Sequence, residues 1–190
     1  MTKVISILGS PRKKGTSARI AGAFTDTAQS LGAEVEKFYL NGMTYRGCQA
    51  CETCHSKTDK CVLNDDVTAV LEAIKEADIA VFSSPVYYGD TSGQFKLFYD
   101  RMYSLLDINV TRDPAIISRV PKGKTAIFVV TQGDINEIFR DVPERYKMFL
   151  EVYGFDVKVV RRTDLIEGVP DQDVSDSQAE IAALAKELIA

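Results

Sequence analysis

Four cysteines lie close together in the chain and offer the clearest potential for chemistry. Cys48, Cys51, Cys54 and Cys61 form the pattern C-x2-C-x2-C-x6-C. Three thiolates separated by two-residue gaps can wrap one compact iron–sulfur cluster, and a fourth completes the ligand set. Val62, and not a proline, follows the last cysteine, so the pattern differs from the bacterial ferredoxin run. The spacing therefore favours a single cluster that is bound by all four cysteines.

Spacing alone leaves other uses of these thiols open. Zinc also takes four thiolates, although structural zinc sites usually pair two C-x2-C knuckles across a longer spacer. Cys48 and Cys51 could instead form a redox pair, or all four thiols could be inert. His55 follows Cys54 directly and is the only histidine, and a solvated loop histidine is a simpler interpretation than a ligand. We favour the cluster over zinc and over thiol redox chemistry.

A second candidate site is the polar segment that follows the first apolar run. Its sequence over residues 9–17 is Gly-Ser-Pro-Arg-Lys-Lys-Gly-Thr-Ser. Backbone N–H groups at the start of a helix, together with hydroxyl groups and a cation, form an anion site. The segment has neither the Gly-Lys-Ser/Thr signature of a Walker loop nor the G-x-G-x-x-G fingerprint. The side chains expected to hold an anion are Ser10, Arg12, Thr16 and Ser17.

Two later loops have the composition to complete a nucleotide site. Residues 83–92 offer two adjacent tyrosines, a glycine and several hydroxyl groups. An isoalloxazine ring needs an apolar or aromatic surface and backbone groups for its polar edge. Tyr87, Tyr88 and Gly89 are the residues of this loop that could supply them. Residues 131–134 can bring polar groups from the other side. Three such loops, each after an apolar run, favour a nucleotide-like ligand.

Short apolar runs alternate with helical patterns along the chain, which predicts a β-α unit repeated five times. The predicted strands cover residues 4–8, 34–40, 79–82, 125–130 and 155–160. The predicted helices cover residues 16–31, a segment capped by Asp65 or Asp66, 93–106, 135–152 with a break or kink at Pro143, and 175–189. We expect an α/β fold, a flavodoxin-like three-layer sandwich whose five-stranded parallel sheet has the order 2-1-3-4-5. In that order the ligand lies beyond the carboxyl ends of the strands, which brings the three loops together.

Length and composition bound the remaining possibilities. The 190 residues are expected to form one domain, 1–190, with a cysteine-rich loop at 41–64 and a long connection at 109–124 that is a surface excursion or an interface segment. The net charge of −4 argues against a nucleic-acid partner. No apolar stretch is long enough for a membrane span or a signal peptide, so we expect a cytoplasmic protein with reduced thiols.

Two motifs carry a family resemblance. The sequence Gly-Ser-Pro-Arg-x-x-Gly-x-Ser at residues 9–17 resembles the FMN phosphate loop of the NADPH-dependent FMN reductase group in the flavodoxin superfamily. The sequence Ser-Pro-Val-Tyr-Tyr-Gly at residues 84–89, continuing through 92–96 and Asp100-Arg101, resembles the segment that lies along the flavin ring in that group. Together with the compact cysteine motif, these loops resemble the iron–sulfur flavoproteins of anaerobic prokaryotes. The resemblance implies FMN, a [4Fe–4S] cluster, and a homodimer or homotetramer. Carried over by position, it also implies which residues contact the flavin ring: Pro85, Val86, Tyr87, Tyr88 and Gly89 flank it, and Thr131, Gln132 and Gly133 make a weaker third contact.

The function expected from these features is that of an FMN-dependent electron-transfer oxidoreductase. Its partner would be ferredoxin or a similar one-electron carrier, with NAD(P)H as a further donor. One alternative is an NAD(P)H-dependent FMN or quinone reductase without a cluster. A second alternative, from another functional class, is a non-enzymatic redox or zinc-sensing module on the same scaffold. In the first two cases the cofactors carry the chemistry, and the protein positions and tunes them.

Overall fold

The computed structural model of the protein describes residues 1–133, 135, 137–166, 169 and 172–189. Its main sheet has five parallel strands in the order β2-β1-β3-β7-β8, which confirms the predicted flavodoxin-like order 2-1-3-4-5. These strands are β1 (Lys3–Leu8), β2 (Glu34–Tyr39), β3 (Ile79–Tyr87), β7 (Thr125–Thr131) and β8 (Asp156–Arg162). Three short strands complete the set: β4 (Asp90–Thr91), β5 (Leu106–Ile108) and β6 (Ile116–Ser118).

Burial follows the position of each strand in the sheet. The central strands β1, β3 and β7 are almost wholly buried, which is why their sequences are continuous apolar runs. The edge strand β2 is mostly exposed and carries Glu34, Glu36 and Lys37. The central strands therefore fix the sheet, and their carboxyl ends meet at one edge of it.

Helices cover both faces of the sheet. Their bounds are α1 (Thr16–Ser30), α2 (Thr53–Ser56), α3 (Asp66–Glu76), α4 (Gly93–Arg101), α5 (Asp141–Val152) and α6 (Ser175–Ile189). One apolar core joins the sheet to α1 and α6, and a second core joins it to α3, α4 and α5. The two cores give the three layers that the sequence predicts. Among the described residues no helix is both long and apolar enough to cross a membrane.

Strand β3 is longer than the predicted 79–82. It continues through the serines and the proline that follow, and it pairs with β7 as far as Pro85 and Thr131. Its last residues turn back at once into β4, where Val86 pairs with Thr91 in antiparallel register. Small polar residues here are buried strand positions, and the turn begins only after Tyr87.

Two helices are shorter than the sequence predicts by about a turn or more, whereas α1 ends only one residue before the predicted 31. Helix α4 ends at Arg101, where a 3-10 turn (Met102–Leu105) leads into β5, so the prediction of a helix to residue 106 is wrong. Helix α5 begins at Asp141 and not at 135. Pro143 lies in its first turn, where backbone N–H groups have no partner within the helix, so the helix has no need to break there. The connection at 109–124 contributes β6, which pairs with β5.

Candidate functional site

Direct hydrogen bonds join the first polar loop to the end of β3. The amide of Gly9 donates to the carbonyl of Ser83 over 2.8 Å. The hydroxyl of Ser92 donates to the carbonyl of Gly9 over 2.5 Å and caps α4 by accepting from the amide of Phe95 over 3.2 Å. Ser84 accepts from the amide of Ser92 over 3.0 Å. Buried serines thus hold two of the three predicted loops against each other.

The start of α1 has the properties of an anion site. Its N-cap is Gly15, no side chain caps the helix, and the first turn has no acidic residue. Thr16 and Ser17 are both buried at this end. The Ser17 hydroxyl has no hydrogen-bond partner among the described residues. Uncapped N–H groups and an unpaired buried hydroxyl fit a phosphate, because both gain hydrogen bonds from its oxygens.

The rest of this loop is shaped by local hydrogen bonds. Ser10 is buried, and its hydroxyl accepts from the amide of Arg12 over 3.1 Å, while the Arg12 side chain is exposed. Tyr39, at the end of β2, donates from its hydroxyl to the carbonyl of Pro11 over 2.7 Å. The Lys13 ammonium lies 5.9 Å from the centroid of the same ring. Tyr39 therefore supports the loop from the neighbouring strand, a role that sequence analysis missed.

The two tyrosines lie at the tip of the β3–β4 hairpin. Tyr87 is partly exposed, and the Tyr88 side chain projects fully into solvent. Tyr88 and Gly89 both have positive φ, +51° and +87°, as a two-residue hairpin turn requires. A positive φ is strained for a tyrosine and is typical of functional positions. The turn therefore holds an aromatic ring in the open at the tip of the hairpin.

Pro85 and Val86 lie in β3 and not in a loop. Pro85 is buried and pairs with Thr131, which is also buried. Val86 is half-buried and packs against the core. Among these three, Val86 alone retains side-chain exposure near the hairpin turn.

The third predicted loop is braced by the side chain of Gln132. Its amide nitrogen donates to the carbonyls of Ile135 and Ile138, each over 2.8 Å. Its amide oxygen accepts from Arg161 over 2.9 Å. Gly133, the next residue, is exposed. Gln132 thus shapes the loop through its side chain, and Gly133 is the member of this loop that faces solvent.

All four cysteines line one small cavity, together with Arg101 and Tyr103. Cys48 and Cys51 are exposed, Cys54 and Cys61 are half-buried, and all four are free thiols. In the part of the chain that the structure describes, no three His, Cys, Asp or Glu side chains are grouped as metal ligands. The cysteines therefore share a cavity without the close grouping of a preformed metal site, and sites of this kind rarely exist before the metal binds.

The backbone around Cys51 is tightly wound. Ala50 and Glu52, on either side of it, have φ of +49° and +53°. Hydrogen bonds from the side chain and backbone of Thr53 lower the pKa of Cys51, whereas burial and the neighbouring Cys61 raise the pKa of Cys54. Left-handed conformations at two non-glycine residues persist only where the surroundings impose them. The loop is thus wound so that its sulfurs face a common space.

Arg101, the last residue of α4, holds this loop against the fold. It is 1% exposed, and every nitrogen of its guanidinium has a partner. Nε donates to Sγ of Cys61 over 3.0 Å, and Nη1 donates to Oδ2 of Asp65 over 2.8 Å. Nη1 and Nη2 also reach the carbonyls of Arg46 and Leu63, over 2.9 Å and 3.1 Å. One buried cation thereby joins both ends of the cysteine loop.

Two further residues anchor the loop. The Tyr45 hydroxyl donates to the carbonyl of Gln94 in α4 over 2.6 Å, and burial raises the pKa of Tyr45 to about 12. Asp65 caps α3 by accepting from the amide of Val67 over 3.2 Å. Burial alone raises the pKa of Asp65, but hydrogen bonds from Arg101 and from backbone amides outweigh it and hold the pKa below its ordinary 3.8. The cysteine loop is therefore anchored to α4 by Tyr45 at its start and to α3 and Arg101 by Asp65 at its end.

An apolar groove of about 610 Å³ touches both candidate sites. Asp90 of the tyrosine hairpin and Cys48 of the cysteine loop both line it, and Tyr99, Tyr103 and Phe149 supply aromatic walls. Near the hairpin, the Tyr146 hydroxyl donates to Oδ1 of Asp90 over 2.9 Å. Aromatic surface therefore extends from the hairpin to the cysteines along α4 and α5.

The structure separates the two ends of the segment whose resemblance extends over 84–101. Ser92 contacts the first polar loop, whereas Arg101 contacts Cys61. In the sequence, Asp100 and Arg101 indicate only a charged helix end. They do not indicate which residues Arg101 binds. Arg101 is thus the main residue of the cysteine site that sequence analysis did not assign.

Known proteins resemble this chain in sequence. The chain matches the family described as NADPH-dependent FMN reductase over residues 2–152. An iron–sulfur flavoprotein of Archaeoglobus fulgidus is 37% identical over 100 residues, which cover 53% of this chain and 45% of that protein. An iron–sulfur flavoprotein of Methanocaldococcus jannaschii is 31% identical over 134 residues, which cover 70% and 63%. The chain spans about half the length of the curated relatives it matches.

Solved structures share the fold at low identity. An FMN-dependent NADH-azoreductase of Bacillus anthracis, in complex with FMN, gives a TM-score of 0.76 at 14% identity, with 100% of each chain covered. An NAD(P)H:quinone oxidoreductase of Methanothermobacter marburgensis gives 0.72 at 19% identity, with 99% of this chain and 97% of that chain covered. At these identities the likeness establishes the fold alone.

Proposed function

Since the chain belongs to the NADPH-dependent FMN reductase family, we propose that it is an FMN-dependent electron-transfer oxidoreductase that also binds a [4Fe–4S] cluster. It relays electrons between a one-electron carrier such as ferredoxin and an acceptor, with NAD(P)H as a further donor. One observation carries this proposal. The four cysteines line one cavity, and the apolar groove beside α4 connects Cys48 of that cavity with Asp90 of the tyrosine hairpin.

The phosphate of FMN would be held at the start of α1. No side chain caps the N–H groups there, so they would be available to the phosphate, and the phosphate would give the unpaired Ser17 hydroxyl a partner. The residues proposed to hold the phosphate are Ser10, Arg12, Thr16 and Ser17. Arg12 is exposed and supplies the charge, while Ser10 keeps the loop closed through its bond to the Arg12 amide.

The flavin ring would lie against the β3–β4 hairpin. Tyr88 offers an exposed aromatic face, and Gly89 leaves backbone groups accessible at the turn. The residues proposed to flank the ring are Pro85, Val86, Tyr87, Tyr88 and Gly89. Thr131, Gln132 and Gly133 would close the site from the third loop, with Gln132 holding that loop in shape through its carbonyl contacts.

The cluster would be held by Cys48, Cys51, Cys54 and Cys61. The cavity that they share and the tight winding around Cys51 support this assignment. When bound, FMN exchanges one or two electrons and a cluster exchanges one, so the pair would convert between one- and two-electron partners. The contribution of the chain is to bury the sulfur ligands partly, to fix their loop and to limit water around them.

A homo-oligomer is the proposed assembly. Phe149, Val152 and Ile116 line the groove and are each more than 40% exposed, and Ile117 and Met148 add further apolar surface nearby in the chain. A contiguous apolar surface of this kind marks an interaction face, since isolated exposed hydrophobic residues do not form grooves. A second copy of the chain would cover it.

The direct test is a count of iron, sulfide, zinc and FMN per chain after anaerobic purification and reconstitution. We expect one FMN and about four irons, since one tetrad of thiolates serves one [4Fe–4S] centre. The Cys54→Ser variant is expected to lose iron while it retains FMN. FMN without iron in the wild-type protein would reject the cluster, and zinc without FMN would favour a sensing module.

A second candidate is an NAD(P)H-dependent FMN or quinone reductase without a cluster. It is favoured by the match of residues 2–152 to the family described as NADPH-dependent FMN reductase. This candidate predicts that NADPH or NADH rapidly bleaches the flavin absorbance of the iron-free protein. It also predicts that replacing all four cysteines by serine leaves the bleaching rate unchanged.

A further inference from the structure

We infer that Arg101 is a positioning and tuning residue for the cysteine site, one that raises the reduction potential of the bound cluster through its hydrogen bond to Cys61. The inference rests on the proposed function, because it concerns the cluster proposed above. Arg101 contacts the sulfur of Cys61, a proposed ligand, and would act on the cluster through it.

The geometry singles out this arginine. Its guanidinium is fully buried, and Nε points at Sγ of Cys61 over 3.0 Å. The remaining nitrogens are taken by Asp65 and by the carbonyls of Arg46 and Leu63, so the group has a single orientation. A planar guanidinium with five donors can make all these bonds at once, whereas a lysine cannot.

Charge gives the direction of the effect. A cluster becomes more negative on reduction, so a donor and a positive charge at a ligand sulfur favour the reduced form and raise the potential. Asp65 is the one carboxylate within ion-pair distance of Arg101 among the described residues, at 2.8 Å. Its negative charge offsets part of the field of Arg101. Arg101 and Asp65 therefore act on the cluster in opposite directions.

The test compares the midpoint potentials of three reconstituted proteins, measured by redox titration with spectroscopic detection of the cluster. In Arg101→Gln we expect a more negative midpoint than in the wild-type protein, because both the charge and the directed donor are lost. In Asp65→Asn we expect a more positive midpoint, because the arginine loses its counter-charge. Iron per chain and thermal stability are measured on the same samples.

Two further variants make the comparison specific. Arg101→Lys keeps the charge but loses the fork of donors, so its midpoint is expected between those of the wild-type protein and Arg101→Gln. Arg119 is a matched control: it is a largely buried arginine that donates to the Ser104 carbonyl over 2.8 Å, and no hydrogen bond joins it to a described cysteine. Arg119→Gln is expected to leave the midpoint unchanged.

The outcomes separate this inference from the proposed function. A wild-type protein without iron overturns both. A wild-type cluster whose midpoint moves in the same direction in Arg101→Gln and Asp65→Asn, or in neither, overturns the role of Arg101 alone, since a purely structural residue affects iron retention and stability without opposite shifts. If Arg101→Gln does not fold, the sign of the shift in Asp65→Asn decides. Opposite shifts, with a silent Arg119→Gln, establish the inference.

Discussion

Gly9 and Ser83 approach each other so closely that no side chain fits between them. Their backbones share a 2.8 Å hydrogen bond, and a Cβ atom on Gly9 would lie 2.9 Å from the Ser83 carbonyl oxygen and 2.7 Å from Cβ of Phe95. A backbone oxygen and the Cβ of a buried phenylalanine cannot move aside, whereas the end of a flexible side chain can. The first polar loop is thus pressed onto β3 at this point.

Replacing Gly9 by alanine is expected to lower the free energy of unfolding by about 1–3 kcal/mol, as overpacking does in well-packed cores. It also displaces the loop from β3, so FMN affinity falls. Gly22→Ala is the control, because its Cβ meets nothing within 4 Å inside α1. There we expect a gain of up to about 1 kcal/mol from helix propensity and unchanged FMN affinity. Chemical denaturation and flavin fluorescence titration measure both quantities.

Ser17→Ala tests the phosphate site. Its hydroxyl is buried without a partner among the described residues, so its removal leaves the apoprotein as stable or more stable. FMN affinity is expected to fall roughly tenfold, because a hydrogen bond to a charged phosphate is lost. Ser6, on β1, also has a buried unpaired hydroxyl. Ser6→Ala is expected to keep full FMN affinity, and equal losses in both variants would contradict the assignment.

Tyr88→Gly separates backbone strain from ring contact. Glycine accepts the φ of +51° freely, so the apoprotein is expected to gain about 1 kcal/mol. FMN affinity is expected to fall, because the exposed aromatic face is gone. Asp164 has a similar φ of +58° but lies after β8, so Asp164→Gly should gain stability without change in FMN affinity. A Tyr88→Gly variant that binds FMN normally would place the ring elsewhere.

The Asp65–Arg101 pair predicts a pH dependence of stability. The pKa of Asp65 is held below 3.8 in the folded protein, so its contribution is complete above about pH 3.8 and is lost as the pH falls through the folded pKa. The difference in unfolding free energy between the wild-type protein and Asp65→Asn should therefore be largest near neutral pH and shrink below about pH 4.

Asp26→Asn serves as the control for that comparison, because the ion pair of Asp26 with Lys37 is exposed. Its effect is expected to stay within about 0.5 kcal/mol at every pH. An Asp65→Asn difference that stays constant down to pH 2.5 or so would mean that the carboxylate charge contributes nothing there.

Phe149→Glu tests the proposed assembly. Phe149 is 51% exposed on the wall of the apolar groove, and a charge there opposes burial against a second copy. Light scattering is expected to show a smaller species than the wild-type protein gives. Leu31→Glu is the control, since Leu31 is 46% exposed at the end of α1 and outside the groove. A monomeric wild-type protein would remove the basis for the proposal.

The sheet could be predicted because its strands carry their own signal. Strands β1 and β7 are continuous apolar runs between turn residues, so period and length define them without tertiary information. The end of β3 could not be predicted, because its residues carry no such local signal. Ser84 and Pro85 have the composition of a turn, and only pairing with β7 makes them strand residues.

The four cysteines can be singled out from the sequence, because the motif is local, and their role as cluster ligands stays a prediction. The contacts that support their loop could not be predicted. Arg101 is 40 residues from Cys61 in the chain, and its contact exists only once the loop folds back over α4. Gln132, unlike Arg101, was expected near the site because it follows β7. Its hydrogen bonds to Ile135 and Ile138 could not be predicted, because they depend on the path of the loop. Composition and spacing thus indicate which residues could form a site, but they do not indicate the hydrogen bonds that hold those residues in place.

Helix α4 touches the first polar loop through Ser92 at one end and the cysteine loop through Arg101 at the other. A related chain without the cysteine loop would keep Asp65 as the ion-pair partner of Arg101, but it would lose the acceptors at Cys61, Arg46 and Leu63. Donors left without acceptors are costly, so such a chain is expected to replace Arg101 as well. Ser92 can stay in either case, because its partners are Gly9 and Ser84.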